Sequence, residues 1–303
     1  MGSLNMNWLS RKLRRPEGWL LAPSIIILIG FFVLPTLVFL VYSFLRSSAY
    51  HVEWILTLDN YVRALGSSMY WKALFNSCQI GFVVAMVTTL LSYPFAYFLT
   101  YRMTKGRNLV LFLVVISVLG SYLVRVYAWR TILGREGVLN TMLIGLGLIN
   151  EPLLALLFSR LAVGITLVNV FLPFAILPIL SSLQSIPYEL VEAARDLGYS
   201  PFRAFLKVTL PLSLTGILAG FTYTFILSSA DYITPQLVGS TSSSMIGVSI
   251  SSQFVKIGNM GLGSAISFIL LATLLLVIFL VQRGANQLVL GGSSKRTRIE
   301  SEK

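Results

Sequence analysis

The sequence predicts an all-α integral membrane protein with six transmembrane helices. Of its 303 residues, 56% are hydrophobic and only 11% are charged, and the mean hydropathy is +0.81. Such a chain has too little polar surface to cover a soluble globule. Six apolar runs approach membrane length, and the basic residues gather at their edges. A net charge of +12 would suggest nucleic acid in a soluble protein; strung along apolar runs, it speaks for membrane orientation and against a nucleic-acid partner. Cys78 is the single cysteine, so no internal disulfide can form and a disulfide-stapled secreted domain is excluded.

A spanning helix needs roughly 20 apolar residues at about 1.5 Å each. The runs are 19–45, 73–101, 108–129, 160–186, 209–236 and 261–282. The N-terminus has the basic flank of a signal peptide, but the run after it is too long and no small-residue cleavage site stands out, so it is read as a retained first span. Pro35, Pro94, Pro173 and Pro178 fall inside runs and imply kinked helices, tolerated where neighbours satisfy the freed carbonyls. With the N-terminus inside, fifteen Lys and Arg residues face the cytoplasm and seven the outside, Arg125 lying within a span. Residues 1–18 then form a cytoplasmic segment, 19–285 the transmembrane domain, and 286–303 a polar, disordered cytoplasmic tail.

The segment between the fourth and fifth runs, about 187–211, is polar and faces the cytoplasm in this scheme. Ser185 is a candidate cap with Pro187 in the first turn, and a helix follows to Leu197. Gly198 supplies a left-handed stop, and Ser200-Pro201 starts a second helix through Phe202, Ala204, Phe205 and Leu206. Leu190, Ala193, Ala194 and Leu197 recur at spacings of three and four. So short a helix is marginal alone in water, so it packs either on a partner or on its own spans.

Glu192-Ala193-Ala194, followed by Gly198 and then Val208-Thr209-Leu210-Pro211, resembles the EAA loop of ATP-binding-cassette importer permeases, with Val208 where isoleucine is more usual. The resemblance implies the type I importer permease fold. The loop is then the coupling helix, seated in a groove of the cytoplasmic ATPase, with Gly198 as its elbow and Glu192 as a polar contact. Further stretches resemble spermidine and putrescine permeases: RVYAW (125–129), GVLN (137–140), LPFAILPI (172–179), DYITPQLVG (231–239) and MIG (245–247). VLGSYLV (118–124) departs from the family, which commonly shows a proline-tryptophan stretch there. The implied partners are an ATP-binding subunit dimer, a second and different permease chain, an extracytoplasmic solute-binding protein and membrane lipid, in a bacterial inner membrane. No G-x-x-x-x-G-K-[ST] loop occurs, so ATP and Mg belong to the partner ATPase and this chain is a transport subunit rather than an enzyme.

Ionisable residues within a membrane are costly and therefore functional candidates. Asp231 lies 21 residues beyond Leu210, roughly 32 Å along a straight helix and near the outer face. It is either a solvated carboxylate or a pathway group attracting a cationic amine, with Tyr223, Ser228 and Ser229 as polar neighbours. Arg125 reads as an anchor that snorkels outward. Tyr127 and Trp129 are belt aromatics or a cation-binding wall. His51, near Glu53 and Asp59, has too few companions for a metal site. No catalytic residue, bound cofactor or metal is expected on this chain. The alternatives are the same importer class for another amine-bearing or anionic solute, or a self-sufficient secondary carrier or channel, which would show more spans, inverted repeats or acidic residues at mid-membrane.

Overall fold

The computed structural model describes residues 18–153 and 156–300. Most of the cytoplasmic N-terminal segment, 1–17, lies outside the described residues. The single domain expected from the apolar runs divides into two compact units, one reaching Gly66 and including Gln253–Phe268, the other holding Ser67–Ser252 and the chain from Ile269 onward.

In the first unit, α1 (Gly18–Leu28), a π-helical turn (Ile29–Val33) and α2 (Leu34–Ser43) follow without a break. Together they supply an apolar helix, Ala22–Ser43, of 22 residues. Pro35 follows directly on the π-helical turn, so the wider turn lies where its ring and missing N–H would otherwise disturb an α-helical ladder. Beyond it the helical expectation is supplemented by a hairpin: β1 (Leu45–Ser48) pairs antiparallel with β2 (His51–Leu56), Ser48 opposite His51. Tyr50, at φ 59°, makes the turn, and its N–H donates to the Gly258 carbonyl at 3.1 Å. α3 (Asp59–Gly66) carries an Arg63–Asp59 ion pair at 2.7 Å. Buried Asn60 donates to the carbonyls of Ser43 and Leu45, and Ser47 Oγ donates to Asn259 Oδ1 at 2.5 Å. These polar groups pin the hairpin to the start of α15 (Met260–Glu300). His51 is exposed, and no cluster of three metal-ligating side chains occurs among the described residues.

The second unit is built on three mutually packed helices, α4 (Ser68–Tyr101), α8 (Arg160–Gln184) and α12 (Leu214–Ser229). Small residues bring their backbones together: a Cβ on Gly220 would stand 3.1 Å from the Ala175 carbonyl, and one on Gly216 2.7 Å from that of Pro178. Leu167, Val170 and Ile179 of α8 are fully buried. Helices α4 and α8 continue past Pro94, Pro173 and Pro178. Around this core lie α5 (Arg107–Leu119), α6 (Tyr122–Ile132), α7 (Val138–Gly145), α9 (Tyr188–Asp196), α10 (Pro201–Ala204), α11 (Leu210–Leu212), α13 (Ile233–Val238) and α14 (Ile246–Ser251).

Among the described residues, four helices are long and apolar enough to cross a membrane, and six spans result if each of two bent pairs counts as one. The third run is not one rod: α5 and α6 meet at 95°. Gly120 there is extended (φ −65°, ψ 145°) and Ser121 follows, two poor helix formers that let the chain turn within an apolar stretch. The fifth run bends by 61° at Ser213. Residues 286–300, assigned by composition to a disordered tail, instead continue α15 as helix, since no proline interrupts them.

Candidate functional site: the polar loop after α8 and the Asp231 cluster

Helix α9 begins two residues later than its sequence suggests. Ser185 does not cap it; its hydroxyl donates backward to the Ser182 carbonyl at 2.8 Å, closing α8, and Pro187 stands at the N-cap position. The C-terminal end matches expectation. Gly198 has φ +84°, its N–H donates to Arg195 O at 2.9 Å, and Tyr199 N–H reaches Ala194 O at 3.1 Å. This pair of bonds is a Schellman motif, which requires a left-handed residue at Gly198. Ser200 Oγ then accepts the Arg203 N–H, capping α10.

Of the apolar stripe on α9, only Ala194 packs inward, 6% exposed; Leu190 and Ala193 stay exposed and Leu197 is 80% exposed. Glu192 is exposed beside them. Lys207 Nζ lies 5.1 Å from the centre of the Tyr199 ring, bracing the elbow by a cation–π contact. After a π-helical turn (Phe205–Thr209), Leu210 and Pro211 form α11. At the bend, Ser213 Oγ donates to Leu210 O at 3.1 Å and is hydrogen-bonded to Tyr93 Oη of α4 at 2.9 Å. Phe205 meets Tyr93 and Tyr97 edge-to-face at 5.9 and 5.6 Å. These aromatics, absent from the sequence-based site, root the segment after α9 on α4. Tyr93 and Tyr97 stand four residues apart on α4, which was their only sequence signal.

Asp231 is 9% exposed and lies just before α13. Oδ1 accepts from Tyr122 Oη at 2.6 Å and from Ile233 N–H at 3.4 Å; Oδ2 accepts from Thr234 N–H at 3.0 Å. Tyr122 is also hydrogen-bonded to Thr234 Oγ1 at 2.8 Å and stacks on Phe171 at 6.3 Å. The carboxylate thus accepts from three donors and ties α6 to α13. A merely solvated carboxylate does not match this burial. Tyr122 lies in VLGSYLV, the stretch that departs from the family pattern.

The other candidates do not gather round it as one cluster. Ser228 is fully buried, with its hydroxyl donating to Thr224 O at 2.6 Å and its Oγ 3.3 Å from Gly81 O of α4, so it serves helix packing. Ser229 is likewise buried against Gly81. Trp129 Nε1 donates to Asn169 Oδ1 of α8 at 3.0 Å, while Tyr127 and Tyr223 are exposed. Arg125 is half-buried and donates to Val170 O at 3.1 Å and Gly120 O at 3.4 Å, clamping the elbow between α5 and α6 to α8.

Residues 83–289 match the family model of the binding-protein-dependent transport system inner membrane component. The chain belongs to this family. As a binding-protein-dependent inner membrane component it is a multi-pass membrane protein and a transport subunit, not an enzyme. It is 36% identical to the spermidine/putrescine transport system permease protein PotB of Haemophilus influenzae over 263 residues, covering 86% of this chain and 91% of that one. It is 35% identical to the Escherichia coli protein of the same name, over 86% and 96% of the two chains. The inner membrane ABC transporter permease protein YdcU of Escherichia coli is 34% identical over 75% of this chain and 76% of its own. Among solved structures, a bacterial alginate ABC transporter in complex with its alginate-bound periplasmic protein contains a chain with TM-score 0.71 at 16% identity, over 94% of this inner membrane component and 98% of that chain. The ABC importer permease fold is therefore shared.

Proposed function

We propose that this chain forms part of the translocation pathway of an ATP-binding-cassette importer for a polyamine such as spermidine or putrescine. The observation that carries the importer reading is the α9 loop: an EAA-like sequence, ended by a left-handed glycine, that leaves its apolar stripe uncovered. A cytoplasmic ATPase dimer that binds ATP and Mg is the partner whose groove that stripe would fill, through Glu192, Ala193, Ala194 and Gly198. Leu210 and Pro211 would pass its movement to α12. Both termini are then cytoplasmic. A solute-binding protein delivers solute outside, and a second, different permease chain completes the pathway.

In this mechanism closure of the ATPases draws the paired coupling helices together. The bundle opens outward, receives solute, and returns to its inward-open rest state. Polyamine as solute rests on the likeness to the two PotB proteins. Asp231 supports the same reading, because a carboxylate at the wall of a pathway attracts an ammonium group. Tyr127, Trp129 and Tyr223 supply aromatic surface to that pathway.

Deleting the gene in a background without other polyamine importers is expected to abolish uptake of labelled putrescine and spermidine; undiminished uptake would move the solute to another amine-bearing or anionic molecule. Asp231→Asn keeps an acceptor for Tyr122 but removes the charge. It should raise the solute concentration for half-maximal uptake roughly tenfold, or ~1.4 kcal/mol, with the protein level in the membrane unchanged. Tyr122→Phe, which removes a donor and keeps the charge, should leave that concentration within about threefold, under ~1 kcal/mol. If the two variants behaved alike, Asp231 would be a structural tie and nothing more.

A further inference from the structure

We infer that a cavity at the start of α4 and α8 is a binding site for the phosphate of an anionic phospholipid headgroup. The cavity, about 690 Å³, lies within the second unit, and among the described residues its lining carries two cations, Lys72 and Arg160, and no carboxylate. Both cations stand at helix beginnings: Lys72 in the second turn of α4, Arg160 as the first residue of α8. At Arg160, in the first turn, the positive charge opposes the helix dipole, and an anion placed beside it is favoured.

The polar wall is organised. Arg160 Nη2 donates to Asn76 Oδ1 at 3.1 Å, and Asn76 Nδ2 donates in turn to the Ser244 carbonyl at 3.1 Å. Ser77, next to Asn76, accepts the Ile246 N–H at 2.9 Å, so the segment carrying Ser244 is anchored to α4 from two sides. Lys72 and Asn76 are four residues apart and share a face of α4 with Gln79. Beside that polar face runs an apolar one, in which Trp71 is 52% and Phe75 68% exposed.

A lipid matches both halves. Its phosphate meets Lys72 and Arg160, and its acyl chain lies along Trp71 and Phe75, aromatic and basic groups of the kind that sit at a membrane–water boundary. A zwitterionic headgroup brings an ammonium that finds no carboxylate in the lining, so the site selects for net negative charge. A cationic solute is repelled by the same two residues, which separates this cavity from the pathway discussed above.

The test is native mass spectrometry of the detergent-purified full chain titrated with phosphatidylglycerol and, separately, phosphatidylcholine of the same acyl chains. Phosphatidylglycerol adducts should form roughly 30-fold more tightly, at about fivefold per cation, and this preference should vanish in the Lys72→Gln/Arg160→Gln variant. Lys72→Gln alone, an exposed substitution that the fold accommodates, should remove part of it. Equal affinity for the two lipids, or an undiminished preference in the double variant, overturns the inference. Competition by inorganic phosphate at the same concentration as the lipid would identify a free-anion site and overturn the lipid source. An unchanged lipid preference accompanied by weaker docking of the solute-binding protein would make the surface a protein contact, and would overturn it as well.

Discussion

Gly198→Val should cut solute-stimulated ATP hydrolysis by the assembled complex at least tenfold, with the chain still inserted and folded. The backbone at Gly198 is left-handed, φ +84°. That region costs an L-residue about 1–2 kcal/mol, and a β-branched one more, because its second γ-atom collides with the backbone. The penalty is conformational alone, since nothing lies within 4 Å of where a Cβ would stand. Asparagine visits the left-handed region readily, so Gly198→Asn should retain most of the stimulated activity although it is the more polar change. ATPase assays of the reconstituted complex with both variants separate an elbow from a mere surface position. Equal loss in the two variants would assign the defect to contact with the ATPase, and full activity of the valine variant would end the reading of Gly198 as the elbow that passes ATPase movement to the spans.

The second large effect is expected at Gly216. There a Cβ would stand 2.7 Å from the Pro178 carbonyl and 3.0 Å from Ser182 Oγ. The carbonyl belongs to the backbone of α8 and cannot swing aside as a side chain does. Gly216→Val therefore forces α12 away from α8, and overpacking of this kind costs about 1–3 kcal/mol. The detergent-solubilised protein should lose its monodisperse peak at a temperature lower by roughly 5 °C. Gly164→Ala, on the same α8, is the matched control: nothing lies within 4 Å of its Cβ position. Alanine is the better helix former, so that variant should melt no lower than the parent. A Gly216→Val protein as stable as the control would mean that the close approach of the two helices carries no weight in the fold.

Much of this was legible in the residues because the determinants are local. Run length separates Ala22–Ser43, Ser68–Tyr101, Arg160–Gln184 and Met260–Ala285 from the other described helices, and these agree with the apolar runs to within a few residues at most ends. Gly198 and Ser200 act on their own backbone neighbours, so their roles follow from spacing. Ser185 misled because serine beside proline reads equally as the start of one helix or the end of the one before it. The 95° break between α5 and α6 was hidden because hydropathy passes smoothly through Gly120 and Ser121. Long-range pairings left no trace in periodicity. Tyr122 and Asp231 are 109 positions apart, and Ser47 and Asn259 are 212 apart. The hairpin likewise depends on buried polar partners supplied from the far end of the chain. Ser228 illustrates the converse: a hydroxyl within a span is as readily satisfied by its own helix carbonyl as by a solute.

The uncovered stripe on α9 has a bearing on the life of the subunit before it is assembled. Leu197 and, on the next helix, Phe202 are 80% and 69% exposed, separated by a glycine turn held by only a few bonds. In an orphan chain such a segment is what proteases and chaperones recognise: apolar, solvent-facing and easily opened. Capture by the ATPase would conceal it, so the cellular level of this membrane subunit would follow the supply of its soluble partner, and excess copies would be cleared from the membrane.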